Sequence, residues 1–203
     1  FVTAQAGSII PAADPARRQL RRDLRAKRRA MPAAVRAQAD RAIYSQLRHL
    51  PQYRRARRIA LFLAFDGEPS LAPLLKSARR QRKRVYVPVL RGMTMTFAEL
   101  EPGAALSPNF FGIMEPKLGA KIHPRELDLV LTPLVAFDDR GVRLGVGRGY
   151  YDRTFKFLRH RSHWRRPKLL GVAYELQRVG PLTPSSWDVP LWGVVTESEV
   201  RRF

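Results

Sequence analysis

The sequence predicts an α/β fold: a single-domain layered structure with a largely parallel central sheet flanked by helices. Segments of helical spacing alternate with short apolar runs of strand type, notably 59–65 "IALFLAF", 84–90 "RVYVPVL" and 127–137 "LDLVLTPLVAF". A chain of 203 residues is long enough for one domain with a sizeable core and short for two. Hydrophobic residues make up 45% of it, and no apolar run approaches the roughly 18–20 residues that a membrane helix requires.

The opening "FVTAQAGSIIPAADPA" has neither the basic start nor the long apolar core of a signal peptide. Residues 1–16 are therefore expected to be a disordered or appended tail, and 17–203 the folded domain. Helical spacing covers 15–30 and 33–49, 59–65 is strand-like, 69–82 helical and 84–90 strand-like again. Residues 95–100 "MTFAEL" form a short strand, 101–126 a loop rich in Pro and Gly, and 127–137 a strand of the buried type. A helix over 150–160 follows a glycine stretch, and the strands "KLLGVAY" and "LWGVVTE" close the order. No internal repeat or low-complexity block interrupts it.

The absence of cysteine excludes a disulfide framework, a thiol nucleophile and a cysteine zinc site. His49, His123, His160 and His163 have no ligand spacing, and a cytoplasmic location is expected. The formal charge of +21 attracts polyanions, with 15 basic against 3 acidic residues in the first 60 and a second acid-free stretch at 156–168, "KFLRHRSHWRRPK". Such a surface makes nucleic acid a candidate partner, although most of these side chains read as solvated faces.

The most informative segment is 141–153, "GVRLGVGRGYYDR". Gly145, Gly147 and Gly149 permit positive φ values that turn successive N–H groups toward one concavity, which suits phosphate. The spacing is neither that of a P-loop nor that of a dinucleotide fingerprint, and a tight strand-to-helix turn explains a bare G-x-G-x-G equally well. Arg143, Arg148 and Asp152 favour phosphate, since a carboxylate there can hold Mg²⁺ beside it. On the first helix, Leu20, Leu24 and Met31 form an apolar stripe. Arg17, Arg21 and Arg28 are expected along its edge, suited either to phosphate contact or to lying along the helix margin, while Arg18, Arg22 and Arg29 point away.

Five segments in order, "RRQLRRDLRAKRRAMP", "IALFLAFDGEPSLAPLL", "KRVYVPVL", "DLVLTPLVAFDDRGVRLGVGRGYYDR" and "SSWDVPLWGVVTE", resemble the 5-formyltetrahydrofolate cyclo-ligase (methenyltetrahydrofolate synthetase) family from about residue 17 to residue 197. The resemblance implies ATP-dependent closure of 5-formyltetrahydrofolate, with or without a polyglutamate tail, to 5,10-methenyltetrahydrofolate with Mg²⁺. It places ATP on Arg17 and Arg21 of the first helix and on the loop Arg143, Leu144, Gly145, Val146, Gly147, Arg148, Gly149, Tyr150 and Tyr151. Arg17 stands where some relatives have Lys, and Val146 and Arg148, where relatives vary, count through their backbone. Asp152 and Asp188 match the metal carboxylates, and Arg143, Tyr150 and Asp152 are the implied catalytic group.

On the folate side the resemblance implies Glu68 as the pterin contact, with Leu63 and Tyr150 lining the ring and Gly147 and Gly149 beside it. Taken alone, Glu68 also suits a helix start, Asp188 a turn, and Leu63 the core. Nucleic acid is not required. Surplus charge on Arg18, Arg22, Arg29, Arg54, Arg55 and 159–168 is left without an assigned role.

Overall fold

Pro15 occupies the first position of helix α1 (Pro15–Ala30), where its missing N–H costs nothing, and the Asp14 side chain accepts from Ala16 N at 3.0 Å. This computed structural model describes residues 14–159 and 166–203. The expected tail thus lies outside the described residues up to residue 13, as does 160–165 of the second basic stretch.

Helix α2 (Ala33–His49) buries Ala39, Ile43 and Leu47, a stripe at steps of four. A short helix, α3 (Pro51–Arg55), escapes the sequence reading. Pro51 starts it directly after α2, and its Tyr53 is buried.

The remaining elements, in chain order, are β1 (Arg58–Ala60), α4 (Ala72–Arg80), β2 (Arg84–Arg91), β3 (Thr94–Glu99), β4 (Leu106–Pro108), β5 (Met114–Pro116), β6 (Lys121–Ile122), β7 (Leu129–Pro133), β8 (Ala136–Phe137), β9 (Arg143–Leu144), α5 (Tyr150–Thr154), β10 (Lys168–Val172), β11 (Gly193–Val195) and β12 (Val200–Arg202). Among the described residues, eight strands form one sheet in the order β12-β11-β10-β7-β1-β2-β3-β6. Strands β11, β10, β7, β1 and β2 are parallel, while β12, β3 and β6 add antiparallel edges, so the sheet is largely parallel as expected.

Both faces of the sheet are covered, which explains why its central strands are apolar at most interior positions. Ile59, Val85, Val87, Leu129 and Leu131 pack with α2, α3 and α4 on one face. The alternate residues Ala60, Tyr86, Val130 and Leu169 pack with Phe155 and Leu158 on the other. At the edge, a Cβ on Gly193 would lie 2.5 Å from the Arg201 carbonyl oxygen of the paired strand. Gly193→Ala is accordingly expected to force β11 and β12 apart and cost about 1–3 kcal/mol; a thermal midpoint equal to the parent's would contradict this contact.

Several boundaries differ from the expectation. Strand 59–65 is regular only through Ala60. After Leu61 N donates to Tyr86 O the chain leaves the sheet, and Asp66 (φ 52°) and Gly67 (φ 76°) turn it back. The 127–137 strand divides after Pro133, and β8 pairs with β9 in a separate two-stranded ribbon. The helices over 69–82 and 150–160 shorten to α4 and α5, the latter followed by a 3₁₀ turn at Lys156–Arg159. The 101–126 loop contains a hairpin, β4–β5, as well as β6. Strand β12, short and basic, carries no periodicity to announce it.

In the parallel array β2 lies on one side of β1 and β7 on the other. The order in which successive parallel strands are laid down therefore reverses between β1 and β7, the kind of switch point that leaves a crevice beyond the carboxyl ends of the strands. Arg28 of α1 crosses this point, donating through Nε to Asp66 O at 3.1 Å and through Nη1 to Leu134 O at 3.3 Å.

Candidate active site

The glycine segment joins the β8–β9 ribbon to α5 and forms one wall of the crevice. Gly147 (φ 97°) and Gly149 (φ 64°) adopt the left-handed conformation that glycine favours. Gly145 does not, which corrects the expectation that all three do. Instead its carbonyl accepts from Arg21 Nε at 2.9 Å, and a Cβ there would meet nothing within 4 Å. The Arg21 guanidinium also lies against Gly147, 3.5 Å from where a Cβ would stand. Burial lowers the Arg21 pKa, and neighbouring Arg17 lowers it further. Arg17 reaches the other side, donating to Thr183 O and to Ser185 Oγ at 3.3 Å.

Arg143, nearly buried, donates to Asp152 Oδ1 at 2.5 Å and to Val189 O, while Val189 N donates to that same Oδ1 at 3.0 Å. The adjoining turn carries Asp188, whose Oδ2 accepts from Ser185 N at 2.8 Å. Burial raises the Asp188 pKa and Asp152 adds to it, whereas Arg143 and Arg17 oppose. The two carboxylates thus share one field with both arginines. Among the described residues, hydrogen bonds fall on one oxygen of each, and no cluster of three metal-type side chains occurs.

Other predicted residues take roles that their side chains define differently. Leu144 is buried against Leu24, Val135 and Ala136, so only its backbone is available to the loop. Val146 is exposed, and Arg148 lies over the Phe111 ring at 5.1 Å. The Tyr150 hydroxyl donates to Gly92 O at 2.8 Å, and its ring meets Phe111 edge-on at 6.5 Å. Tyr151 stacks on Phe155, and its hydroxyl pKa is raised by burial and by Glu68, with Arg143 opposing. Tyr151 therefore lies in the fields of both the arginine wall and the opposite wall.

That opposite wall is the 61–71 segment leaving β1. Leu63 packs against the core while remaining partly open. Glu68 N donates to Phe65 O at 3.0 Å and Glu68 Oε2 accepts from Phe65 N at 3.1 Å, closing a turn. Helix α4 is preceded by Leu71 at its cap position, so Glu68 does not serve as the helix cap. The Glu68 carboxyl is pushed up to about 7, mainly by burial, with Arg28 and the Phe65 N–H opposing and Asp66 adding. The tip of the β4–β5 hairpin leans over this wall, since a Cβ on Gly112 would lie 3.4 Å from the Phe65 ring.

Two residues near the site were missed by sequence reasoning. Arg28, expected at the helix margin, is 1% exposed, and Asp66 receives the guanidiniums of Arg25, Arg28 and Arg29. The i, i+3, i+4 spacing of the three arginines was a usable signal, but their common acceptor lies 37 to 41 residues away. Of the surplus cations, Arg29 is thus paired, while Arg18, Arg22, Arg54 and Arg55 are exposed.

Fold and site together define a parallel-sheet protein whose switch-point crevice joins a cation-lined glycine wall to a second wall carrying a half-buried carboxyl. The sequence pattern of the 5-formyltetrahydrofolate cyclo-ligase family matches residues 13–197, and the chain belongs to that family. The 5-formyltetrahydrofolate cyclo-ligase of Haemophilus influenzae is 38% identical over 186 residues, covering 88% of this chain and 96% of the relative. That of Escherichia coli K12 is 37% identical over 182 residues, covering 87% and 98%. The solution structure of Aquifex aeolicus 5,10-methenyltetrahydrofolate synthetase superposes with a TM-score of 0.79 at 33% identity, covering 92% of each chain.

Proposed function

We propose that this chain uses ATP to close 5-formyltetrahydrofolate to 5,10-methenyltetrahydrofolate, releasing ADP and phosphate. The observation that supports the proposal best is the glycine turn, where Gly147 and Gly149 are left-handed, Arg21 bonds Gly145 O and packs on Gly147, and Arg143 holds Asp152. A formamide oxygen is a poor leaving group. It attacks the γ-phosphorus as the bond to ADP breaks; nitrogen 10 then attacks the activated carbon and loses its proton, and the carbon–oxygen bond breaks to release phosphate. Catalysis of this kind rests on positioning and on neutralising phosphate charge.

Arg17, Arg21 and Arg143, with the N–H groups of residues 144–151, supply the cationic wall for the triphosphate. Glu68, ionised, accepts hydrogen bonds from the amino-pyrimidine edge of the pterin, and Leu63 and Tyr150 pack on its ring. Mg²⁺ fits Asp152 and Asp188, which are hard oxygen donors beside the phosphate loop, each with one carboxylate oxygen not used by the described residues. Bound there, it would supply charge neutralisation to the phosphates. ATP and the folate's glutamate tail, extended or not, are anionic, so the basic surface steers both toward the crevice. Nucleic acid has no part in this reading.

Incubation with 5-formyltetrahydrofolate, ATP and a magnesium salt is expected to generate the near-ultraviolet absorbance of the methenyl product, and omission of ATP to abolish it. Excess chelator is expected to stop turnover as well. Undiminished turnover in chelator would remove the metal role from Asp152 and Asp188.

A further inference from the structure

Asp66 gathers three arginines from one face of α1: Arg25 at 2.6 Å, Arg28 at 3.3 Å and Arg29 at 2.9 Å. Spacings of three and four bring these side chains to one side of a helix. Arg28 commits all three nitrogens, Nε to Asp66 O, Nη1 to Leu134 O and Nη2 to Asp66 Oδ2. Asp66 holds this cluster from a left-handed φ of 52°, uncommon for any residue but glycine. Two positions on, Glu68 feels Arg28 more strongly than any other charge, yet no ion pair joins them, and among the described residues its carboxyl accepts only from Phe65 N. The charged and titratable groups facing Glu68 are Arg25 and Arg28 from α1, Asp66 from its own loop and Tyr151 from α5.

A guanidinium as buried as Arg28 must find acceptors, and here two carboxylates two residues apart compete for it. We propose that Asp66 is a positioning residue, whose carboxylate, supported by Arg25 and Arg29, keeps Arg28 off Glu68 and so leaves the Glu68 carboxyl open to the substrate. The proposal rests on the reading of Glu68 as the folate contact. With Asp66 neutral, Arg28 turns to the remaining carboxylate, and the pterin's donors must then displace an internal ion pair.

The test compares the full chain with Asp66→Asn and Asp66→Gly, both of which accept a positive φ. Carboxyl-¹³C labelling of the glutamates follows Glu68 by NMR titration of the free protein. Its midpoint is expected to fall from about 7 by one pH unit or more in both variants. Affinity for 5-formyltetrahydrofolate at pH 8 is expected to weaken about tenfold, with affinity for a non-hydrolysable ATP analogue unchanged. Lower thermal stability follows from any role for Asp66, because Arg28 loses its partner, so it is not the readout. An unmoved Glu68 midpoint in a folded variant overturns the proposal, as does a lowered midpoint with undiminished folate affinity. Glu68→Gln in the parent background tests the underlying reading separately: unchanged folate affinity there would remove Glu68 from the folate site. Because the loss of Asp66's own repulsion also lowers the Glu68 midpoint, the placement of Arg28 is read from the titration shift together with the loss of folate affinity.

Discussion

Arg143→Ala and Arg21→Ala are each expected to lower the ATP-dependent rate about 10- to 150-fold, the equivalent of the ~1.5–3 kcal/mol that a charge-assisted phosphate hydrogen bond contributes. Both guanidiniums lie on the wall proposed for the triphosphate: Arg21 is bonded to Gly145 O and packed on Gly147, and Arg143 bonds to Asp152 and Val189 O. Arg22 follows Arg21 directly on α1 but is exposed. Arg22→Ala removes the same unit charge and is expected to change the rate by less than about threefold, a difference that added salt erases. Steady-state rates at low and moderate ionic strength decide the matter. Equal losses in all three variants that vanish with salt would reduce the arginines to a general field. Of the two large effects, that of Arg143→Ala should be the greater, because it also leaves Asp152 without its cation.

The second large effect concerns Glu68 and pH. In the free protein this carboxyl is pushed up to about 7 from the usual 4.5, chiefly by burial. Binding the pterin through the ionised form releases a proton, so folate affinity is expected to fall about tenfold for each pH unit below 7 while ATP affinity does not follow. Glu68→Gln is expected to weaken folate binding about 10- to 100-fold at pH 8, since an amide N–H then faces donors, and to abolish this pH dependence. Stability carries the opposite sign. A carboxyl whose folded pKa is raised contributes stability that is fully present below 4.5 and is lost as pH rises through about 7. Glu68→Gln, neutral throughout, should therefore gain thermal stability over the parent between pH 5 and pH 8. After allowance for solvent screening the gain is about 1–2 kcal/mol, or ~2–8 °C. Calorimetry showing a constant difference across that window would exclude a half-buried, proton-bearing Glu68.

Local chemistry made much of this molecule legible in the sequence. Strands β2 and β10 and helices α1 and α2 stand close to where apolar periodicity places them, because long, regular patterns of burial leave little choice of conformation. The glycine loop, its arginines and its carboxylate are contiguous from residue 143 to residue 152, so their proximity needed no folding to be seen. The β4–β5 hairpin, β9 and β12 were hidden because strands of two or three residues carry too little periodicity to separate from loop.

The sequence by itself therefore determined the α/β class, a parallel sheet with both faces buried, and the cation-lined glycine turn. Only the tertiary structure decided which charges meet. Asp188 reaches the field of Asp152 because Arg17 and Arg143 bond to the 183–189 turn, and Tyr151 comes within the fields of both Glu68 and Arg143 because α5 packs against β3. Arg28, which spacing assigned to the helix margin, is buried because the crevice at β1 and β7 offers it Asp66 and two backbone carbonyls. Periodicity reports how far a side chain turns about its own helix, whereas the acceptors that make a buried guanidinium tolerable belong to other segments of the chain.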